Sequence, residues 1–538
     1  MNLIVLDSSE SSRKLWKLLS SKKIDSYRVI SLKYFRDFPQ QTPKGTKKED
    51  LGIDLENDFE VLWDVDQISI KTLMKEIHGM DAVYLGFVGN TAEYKSFLIR
   101  TFIKERFPFK NIYRVKFTAF TIDRVLQDLA NAKEDDFNEI LFERELALRT
   151  VDRLSRYYIN NKLRHYKVSF PGISSYYVLH HILQMSRGVN VVFGKDTSIK
   201  KHFKTNKKAS SFLAAYDESK ITKETEPNQY EFQFFHNHFF RSPYLLEQYS
   251  IDILEEGLWF LFKNGYITDP TRMLTLTDSE YAKCVNKLEL FSNYFNNRSR
   301  NKEGVYVTDI NIDPDKVYYK FQNIYRLIWR STLAAFSKSC KGTKHTCFYD
   351  KEDLGSYSDI SYDGFTKFLR EMDRSYSTGY HSFSKGSIEK PVVTVENIIA
   401  HFGYRGSYCL KELSKASYIR IKEGVIYVED TSLIMTKVLD KVYPNLFDFS
   451  SYSSDSFVLR ELLDVKTASD RISFLTKFSL KLLVPPVNLD LPPCPECHIP
   501  LRLSIGSKPM LICKTPSSGG CGSVFPVTYK KGNFVIQE

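Results

Sequence analysis

Residues 2–21 read NLIVLDSSESSRKLWKLLSS, and this stretch determines the fold class of the first part of the chain. The apolar run LIVL is typical of a strand buried on both faces, and the residues after it have the spacing of a helix. The same order recurs in DAVYLGFV (81–88) followed by TAEYKSFLIRTFIKERF (91–107), and NIYRVKFTAF (111–120) is a third predicted strand. Strands that alternate with helices predict an α/β domain with a partly parallel sheet over residues 1–125.

The region from 126 to 485 is predicted to be mainly helical. In ERELALRTVDRLSRYYINNKLRHY (143–166), apolar residues recur at helical spacing on one face, and arginines share the nearly opposite face. The apolar residues are Ala147, Val151, Leu154 and Tyr158, and the arginines are Arg149, Arg153 and Arg156. We therefore expect a helix with one side in the core and one basic side, which is either a binding face or a solvated charged face.

Several shorter segments complete this region. HYKVSFPG (165–172) and VNVVFG (189–194) are predicted strands, and SSYYVLHHILQMS (174–186) is a predicted helix. The polar stretch NKKASSFLAAYDESKITKETEPNQ (206–229) is predicted to be a connector. LVPPVNLDLPP (483–493) is rich in proline and predicts a hinge before a last domain, residues 490–538.

The last domain carries four cysteines in the pattern C-x2-C-x15-C-x7-C, at Cys494, Cys497, Cys513 and Cys521. Two thiolate pairs on turns between short strands are typical of a zinc ribbon, in which four sulfurs surround one Zn²⁺. The segment has few apolar residues, so metal is expected to supply much of its folding energy. Four sulfurs leave no open position for a substrate, so the expected zinc is structural, with His498 outside the ligand set. A ribbon that binds iron or has lost its metal is the alternative.

The chain has 76 basic and 65 acidic residues, which give a net charge of +11. This excess permits a polyanionic partner such as nucleic acid, and it also fits a basic protein without one. No apolar run approaches the roughly 18 residues of a membrane helix, so no membrane partner is expected. The four cysteines outside the last domain are scattered, so a reducing, cytoplasmic location is expected.

The order of several segments resembles that of type IA DNA topoisomerases along nearly the whole chain. No single segment is decisive, and the resemblance rests on nine of them in the family's order, followed by the ribbon. They are LIVLDSSESSRKL (3–15), YFRDFP (34–39), LGIDLENDFE (51–60), DAVYLGFVGNTAEYKSFLI (81–99), ALRTVDRL (147–154), FPGISSYYVLHHI (170–182), LFKNGYITDPTR (261–272), VYVTDINIDPD (305–315) and IYRLIWRSTLAA (324–335).

The resemblance implies a multidomain architecture. A Toprim-like α/β domain (1–125) would precede central domains that form a torus around DNA (126–485), and the zinc ribbon (490–538) would follow. In the family a tyrosine attacks a phosphodiester of one DNA strand, and acidic Toprim residues hold Mg²⁺.

The sequence departs from the family at the nucleophile. The family's tyrosine aligns with Asp269, and a carboxylate is a poor nucleophile towards a phosphodiester because the phosphate charge repels it. The arginine after that tyrosine survives only as Arg272, one position out of register. The family's TDS motif reappears at 277–279, after an insertion.

The family's metal ligands have also changed. The first glutamate aligns with Asp7, the Asp-x-Asp pair with Val88 and Asn90, and the next glutamate with Glu93 only if the alignment slips by one residue. A divalent ion requires several oxygen ligands, so Mg²⁺ is not expected to bind. Four basic residues of the family are replaced as well, at Ser11, Ile173, Lys302 and Tyr306.

These departures lead to one favoured function and two alternatives. The favoured hypothesis is a topoisomerase-like protein without cleavage activity that binds single-stranded or forked DNA, alone or within a DNA-processing complex. Its candidate DNA contacts are Arg149, Arg153, Arg156 and Arg272. An active enzyme is the first alternative; it would use Tyr266 or Tyr281 as nucleophile and draw metal ligands from Asp7, Asp81 or Glu93. A protein-interaction scaffold without a nucleic-acid partner is the second.

Overall fold

The computed structural model describes residues 1–32, 35–39, 51–89, 91–162, 170–193, 200–230, 242–246, 248–272, 274–289, 302–362, 365–369, 386–443, 457–482, 491–505, 509–530 and 533–537. Asn90, residues 165–169 of the predicted strand HYKVSFPG and residues 483–490 of the predicted hinge lie outside these ranges.

The N-terminal part alternates strands and helices, as predicted. Its elements are β1 (Asn2–Leu6), α1 (Ser9–Ser21), β2 (Tyr27–Ser31), β3 (Arg36–Asp37), β4 (Ile53–Asp54), β5 (Glu60–Val61), β6 (Asp64–Val65), α2 (Gln67–Ile77), β7 (Ala82–Leu85), α3 (Ala92–Arg106), β8 (Asn111–Arg114), α4 (Ile122–Ala130) and β9 (Lys133–Glu134). Five of the strands form one sheet in the order β2-β1-β7-β8-β9. The first four are parallel, and β9 is antiparallel to β8.

The first strand shows why this sheet is recognisable in the sequence. Ile4 and Leu6 face one hydrophobic core, and Leu3 and Val5 face another, because successive side chains of a strand point to opposite faces. A parallel sheet covered on both faces needs apolar residues on both sides of each strand, which produces a continuous apolar run. Asp7 directly follows β1 and therefore lies at the carboxyl end of the sheet.

The rest of the chain up to residue 482 is a helical body with three small sheets. Its elements are α5 (Glu139–Lys162), α6 (Ile173–Met185), β10 (Val189–Val192), β11 (Lys200–Phe203), α7 (Asn206–Ala214), β12 (Ile221–Tyr230), α8 (Pro243–Leu246), α9 (Ile251–Lys263), α10 (Asp278–Glu289), α11 (Gln322–Phe336), β13 (Cys340–Tyr349), β14 (Glu352–Tyr362), α12 (Thr366–Leu369), β15 (Ser387–Glu389), β16 (Val393–Thr394), α13 (Val395–Phe402), α14 (Tyr404–Lys415), β17 (Ile419–Lys422), β18 (Val425–Val428), α15 (Asp430–Val442), α16 (Phe457–Asp464) and α17 (Ala468–Leu482). The three sheets have the orders β11-β10-β15, β12-β13-β14 and β16-β18-β17.

Helix α5 has the two faces predicted from its sequence. Ala147, Val151 and Leu154 are fully buried in the main core, while Arg149 and Arg153 are only partly buried and line a cleft. Near its N-terminal end, α5 is joined to α17 by a nearly buried ion pair. In this pair Arg471 Nε of α17 donates to Glu143 Oε2 of α5 at 2.7 Å.

The prediction of a connector at residues 206–229 is wrong, because this stretch forms α7 and most of β12. Thr205 caps α7, since its side-chain oxygen accepts a hydrogen bond from the Lys208 amide at 3.4 Å. β12 is an edge strand that pairs with β13 along its whole length, and most of its residues are exposed. Its polar composition therefore reflects contact with solvent, which hides the alternation that usually indicates a strand.

The last strands are β19 (Arg502–Ile505), β20 (Pro509–Ile512), β21 (Val524–Lys530) and β22 (Asn533–Ile536), which form one antiparallel sheet in chain order. This sheet packs on α15. One main core contains buried residues of the N-terminal sheet, the helical body and this last sheet. The division at 1–125, 126–485 and 490–538 stays a prediction, and β9 joins the N-terminal sheet from beyond residue 125.

Among the described residues, no helix combines the length and the apolar character that crossing a membrane would require.

Candidate functional site

A cleft of about 770 Å³ lies where the carboxyl end of the N-terminal sheet meets α5, α9 and α14. Its lining is rich in cations, which are Arg149, Arg153, Arg156, Lys263 and Arg405. Three of the four arginines predicted to contact DNA are thus brought together on one wall. The fourth, Arg272, lies outside the cleft and donates from Nη1 to the Lys116 carbonyl oxygen at 3.1 Å.

Two of the cleft arginines are engaged in contacts that hold the N-terminal region against α5. Arg149 donates to Asp37 Oδ1 at 3.0 Å and to Glu145 Oε1 at 2.9 Å, and its guanidinium lies over the Tyr94 ring. Arg153 donates to the carbonyl oxygens of Leu51 (3.1 Å) and Pro39. Burial lowers the pKa of Arg153 to about 10, which leaves it charged at neutral pH.

The other cations have fewer contacts within the protein. Arg156 donates from Nη2 to the Pro171 carbonyl oxygen at 2.7 Å, and Arg405 donates to Glu145 Oε2 at 3.1 Å. Arg156 lies against Gly172, whose φ is +99°, and a Cβ there would come within 3.0 Å of Arg156 Nε. Glycine at this position therefore permits the close approach of the guanidinium to the backbone.

Two aromatic side chains line the same cleft. Trp259 of α9 lies near Gly89, and Tyr408 of α14 is 55% exposed. The Trp259 ring is half-buried against the core, so Tyr408 is the more exposed of the two. Aromatic rings beside guanidinium groups are suited to stack unpaired bases whose phosphates pair with the cations. Trp259, Lys263, Arg405 and Tyr408 were not predicted from the sequence, because each is distant along the chain from the arginines it joins.

Asp269, which the resemblance aligns with the family's tyrosine, is buried, and its side chain accepts hydrogen bonds from its own backbone turn. Its Oδ1 accepts hydrogen bonds from the amide of Thr271 at 2.9 Å and from the Thr271 hydroxyl at 2.7 Å. Burial raises the pKa of Asp269, which opposes the charged form. Only 4% of this residue is exposed, so its carboxylate has a structural use and no open approach for a substrate.

The segment around Asp269 is also tied to the loop after β8. The Asp269 amide donates to the Thr118 carbonyl oxygen at 2.8 Å. Gly265 has a φ of +74°, and a Cβ there would lie 2.3 Å from the Phe120 carbonyl oxygen. These contacts, with the Arg272–Lys116 hydrogen bond, join residues 265–272 to residues 116–120.

The two displaced tyrosines do not line the cleft. The Tyr266 ring packs against Tyr325 with centroids 5.8 Å apart, and the Tyr281 ring packs against Phe336 with centroids 5.5 Å apart. Both contact the core of the helical body. Tyr408 is the one tyrosine among the described residues that line the cleft.

The TDS stretch that follows has a local structural role. The Thr277 amide donates to Glu280 Oε2 at 2.9 Å, and the Glu280 amide donates to Thr277 Oγ1 at 3.3 Å. This reciprocal pair is a capping box at the start of α10. Glu280 also forms a buried ion pair with Arg124 of α4, with 2.5 Å between Oε2 and Nη2.

The acidic positions are separated in the structure. Asp7 lies at the carboxyl end of β1, whereas Asp81 precedes β7 at the opposite end of the parallel sheet and pairs with the amino terminus of the chain. Glu93 lies in the first turn of α3 beside Arg114. Val88 lines the cleft but offers no oxygen ligand from its side chain. Asp81 therefore cannot share an ion with Asp7.

Three other positions where the family has basic residues are also part of the structural interior. Ser11 and Ile173 are buried, and Tyr306 is fully buried, with its hydroxyl donating to the Lys302 carbonyl oxygen at 2.9 Å. Burial raises the pKa of Tyr306, so this phenol stays neutral. None of these three side chains supplies a cation.

The four C-terminal cysteines form a metal-binding geometry. The sulfur atoms of Cys494, Cys497, Cys513 and Cys521 all lie within 4.8 Å of one another. The Sγ atoms are 3.4 Å apart in the pair Cys494–Cys521 and in the pair Cys497–Cys513. Sulfurs about 3.8 Å apart are expected around a tetrahedral Zn²⁺ with Zn–S bonds of about 2.3 Å. The donor set therefore fits zinc, and His498 is not among the side chains of this cluster.

No protein-family model and no curated protein matches the chain. Among solved structures, the chain is similar to full-length topoisomerase I from Thermotoga maritima, with a TM-score of 0.66 and 17% sequence identity. The similarity covers 99% of this chain and 100% of that one. At this identity it establishes a shared multidomain fold over the full length of both chains.

Proposed function

We propose that this protein holds single-stranded or forked DNA and does not cut it. The fold shared with a topoisomerase I supports DNA as the partner. The cation-rich cleft supports contacts with the sugar-phosphate backbone, which dominates the affinity of proteins for nucleic acid. Trp259 and Tyr408 supply aromatic faces for unpaired bases, which supports a single strand over a closed duplex.

The main support for a protein that does not cut DNA is the buried, hydrogen-bonded position of Asp269. A nucleophile must reach the phosphorus atom and be activated there, by a base, a lowered pKa or a metal ion. Asp269 is buried, accepts two hydrogen bonds from Thr271, and has a raised pKa because of burial. It cannot act as that nucleophile, and the two tyrosines near it in sequence pack against core rings.

We further propose a division of labour among the cleft cations. Arg149 and Arg153 already have hydrogen-bond acceptors within the protein, so they chiefly shape the wall and contribute charge. Arg156, Lys263 and Arg405 have donors left for phosphate oxygens. Arg272, which lies outside the cleft, would contact DNA only where the strand leaves it.

The architecture that the resemblance implies is part of the same proposal. Residues 1–125 would correspond to a Toprim-like domain, 126–485 to a torus, and 490–538 to a structural zinc ribbon. The four clustered sulfurs support the ribbon, and the five-stranded sheet flanked by helices supports the first domain. A subunit role in a DNA-processing complex would use this frame to position a strand for another protein.

Cleavage is tested with negatively supercoiled plasmid and Mg²⁺. We expect no relaxation and no covalent protein–DNA adduct, since Asp269 is buried and both Tyr266 and Tyr281 pack against core rings. An adduct would contradict the proposal, and the variants Tyr266→Phe, Tyr281→Phe and Tyr408→Phe would then identify its nucleophile. Loss of the adduct in the first or second variant would establish an enzyme with a displaced tyrosine.

Binding is tested by titrating a fluorescent single-stranded oligonucleotide at several salt concentrations. We expect the affinity to fall steeply with salt because bound phosphates release counterions. The variants Arg156→Gln and Arg405→Gln should each weaken binding and reduce the salt slope by about one unit. The matched control is Arg106→Gln, which removes an arginine that forms an exposed ion pair with Glu105. This variant should change neither the affinity nor the salt slope. Weak binding without salt dependence would favour a protein-interaction scaffold.

A further inference from the structure

Two carboxylates lie at the carboxyl end of the N-terminal sheet, where the cleft begins. Asp7 follows β1, and Glu93 lies in the first turn of α3. Asp7 Oδ1 and Glu93 Oε2 are buried, and neither atom has a hydrogen-bond partner. Carboxylate oxygens removed from water need compensating positive charge, because burying an unpaired charge is costly.

The chain itself supplies this positive charge. Lys95 Nζ lies 3.9 Å from Asp7 Oδ2. Arg114 Nη2 and Lys116 Nζ lie 3.4 Å and 3.8 Å from Glu93 Oε1. Arg114 is only 4% exposed and also donates to backbone carbonyl oxygens of the sheet, so it cannot leave this position. Each carboxylate therefore has a built-in counter-ion.

A divalent ion does not fit this arrangement. Mg²⁺ takes a near-octahedral set of oxygen ligands, usually with one or two carboxylates from the protein. Here the two carboxylates are held by separate cations, and those cations would repel a divalent ion. In the described part of the chain, the four ribbon cysteines are the only group of three or more His, Cys, Asp or Glu side chains close enough to share a metal.

We propose that Lys95 is the permanent counter-ion of Asp7 and that the cleft holds the phosphates of a single strand without a divalent ion. This inference rests on the proposed function, because it explains how the negative charge of Asp7 is offset where the phosphates would bind. The Lys95 side chain is 37% exposed and is not part of the cleft lining, whereas Asp7 is. Lys95 therefore acts on a bound strand by offsetting the negative charge of Asp7. Burial raises the pKa of Asp7, and Lys95 and Lys263 both oppose this rise. Lys263, at the end of α9, also lines the cleft.

The first experiment measures binding of a labelled oligothymidylate to the zinc-loaded full chain, with EDTA or with MgCl₂ at matched ionic strength. We expect the Kd of the wild type to differ less than twofold between the two buffers. Lys95→Gln should raise the Kd at least threefold in EDTA. Lys71→Gln removes the same charge from an exposed position on α2 and is the control, which should stay within twofold of wild type.

A Kd for the wild type that improves tenfold or more with Mg²⁺ would overturn the inference. Equal effects of Lys95→Gln and Lys71→Gln would overturn it as well, because Lys95 would then contribute only its share of the net charge.

A second experiment does not depend on DNA. The zinc-loaded chain is titrated with Mn²⁺, and binding is followed by water-proton relaxation. We expect no site with a Kd below about 1 mM, the weak end of protein sites for divalent ions. One equivalent of tightly bound Mn²⁺ that is lost in Asp7→Asn would overturn the inference. Absence of DNA binding in both buffers, together with the expected Mn²⁺ result, would refute the proposed function but not the assignment of Lys95 to Asp7.

Discussion

The amide of Thr271 donates to Asp269 Oδ1 at 2.9 Å, and the Thr271 hydroxyl donates to the same oxygen at 2.7 Å. One carboxylate oxygen therefore closes the turn that the resemblance aligns with the nucleophile of type IA topoisomerases. The turn needs an acceptor at this position and does not need a charge, since burial raises the pKa of Asp269.

We expect Asp269→Asn to be nearly neutral, because the amide oxygen can accept both hydrogen bonds. Asp269→Ala should lower the free energy of unfolding by about 1–3 kcal/mol, since two donors lose their acceptor in a buried place. Chemical denaturation of the three proteins measures this difference. Asp269→Tyr should form no covalent adduct with DNA, because Asp7 and Glu93 are each held by a cation of the chain and are not expected to bind Mg²⁺. An adduct in this variant would show that a tyrosine at this position is sufficient for cleavage.

Removal of zinc should unfold the C-terminal sheet. One zinc per chain is expected by elemental analysis, and Cys494→Ser or Cys513→Ser should release it, because each removes one of four sulfur ligands. Hydrogen exchange of residues 491–537 should then become fast. His498→Ala is the matched control and should keep full zinc content; metal loss in this variant would mean that the histidine belongs to the ligand set.

The buried ion pair between Arg124 and Glu280 should be important for stability. Arg124→Leu would leave Glu280 buried and unpaired, which typically costs about 3–5 kcal/mol. The double variant Arg124→Leu/Glu280→Leu should recover part of this loss. Arg106→Ala, which breaks an exposed pair, should change stability little. Equal effects of Arg124→Leu and Arg106→Ala on the denaturation midpoint would show that the pair is dispensable.

Stability should fall in mild acid because of His180 on α6. Burial, together with Arg187, His181 and Lys437, lowers the pKa of His180 to about 4. The unfolded chain binds this proton near pH 6.5, so the folded state loses stability as the pH falls from about 6.5 towards 4, by about 2 kcal/mol at pH 5. His180→Leu should reduce the pH dependence of the unfolding free energy by this amount. An unchanged pH dependence in His180→Leu would contradict this assignment.

The sequence predicted those features whose residues are close together in the chain. The cysteine spacing predicted that four sulfurs would cluster, and the apolar run at Leu3–Leu6 predicted the first buried strand. The periodicity of α5 predicted which residues enter the core. In each case the sequence pattern and the structural feature that it predicts lie in the same short segment of the chain.

Features that depend on distant residues were not predictable in this way. Lys263 and Arg405 reach the cleft from helices that are far in sequence from Arg149. Nothing in the periodicity of α5 indicates that Arg149 pairs with Asp37 and is thus occupied within the protein. The edge strand β12 was missed because solvent on its surface permits polar residues throughout.

The contacts between residues 265–272 and residues 116–120 have a kinetic consequence. The Asp269–Thr118 and Arg272–Lys116 hydrogen bonds, with the close approach of Gly265 to Phe120, join the N-terminal region to the helical body. In the torus that the resemblance implies, a circular strand has no end to thread, so its capture would require these contacts to break together. A linear oligonucleotide should therefore associate faster than a circle of equal length, and stopped-flow mixing of the two would reveal whether the join ever opens.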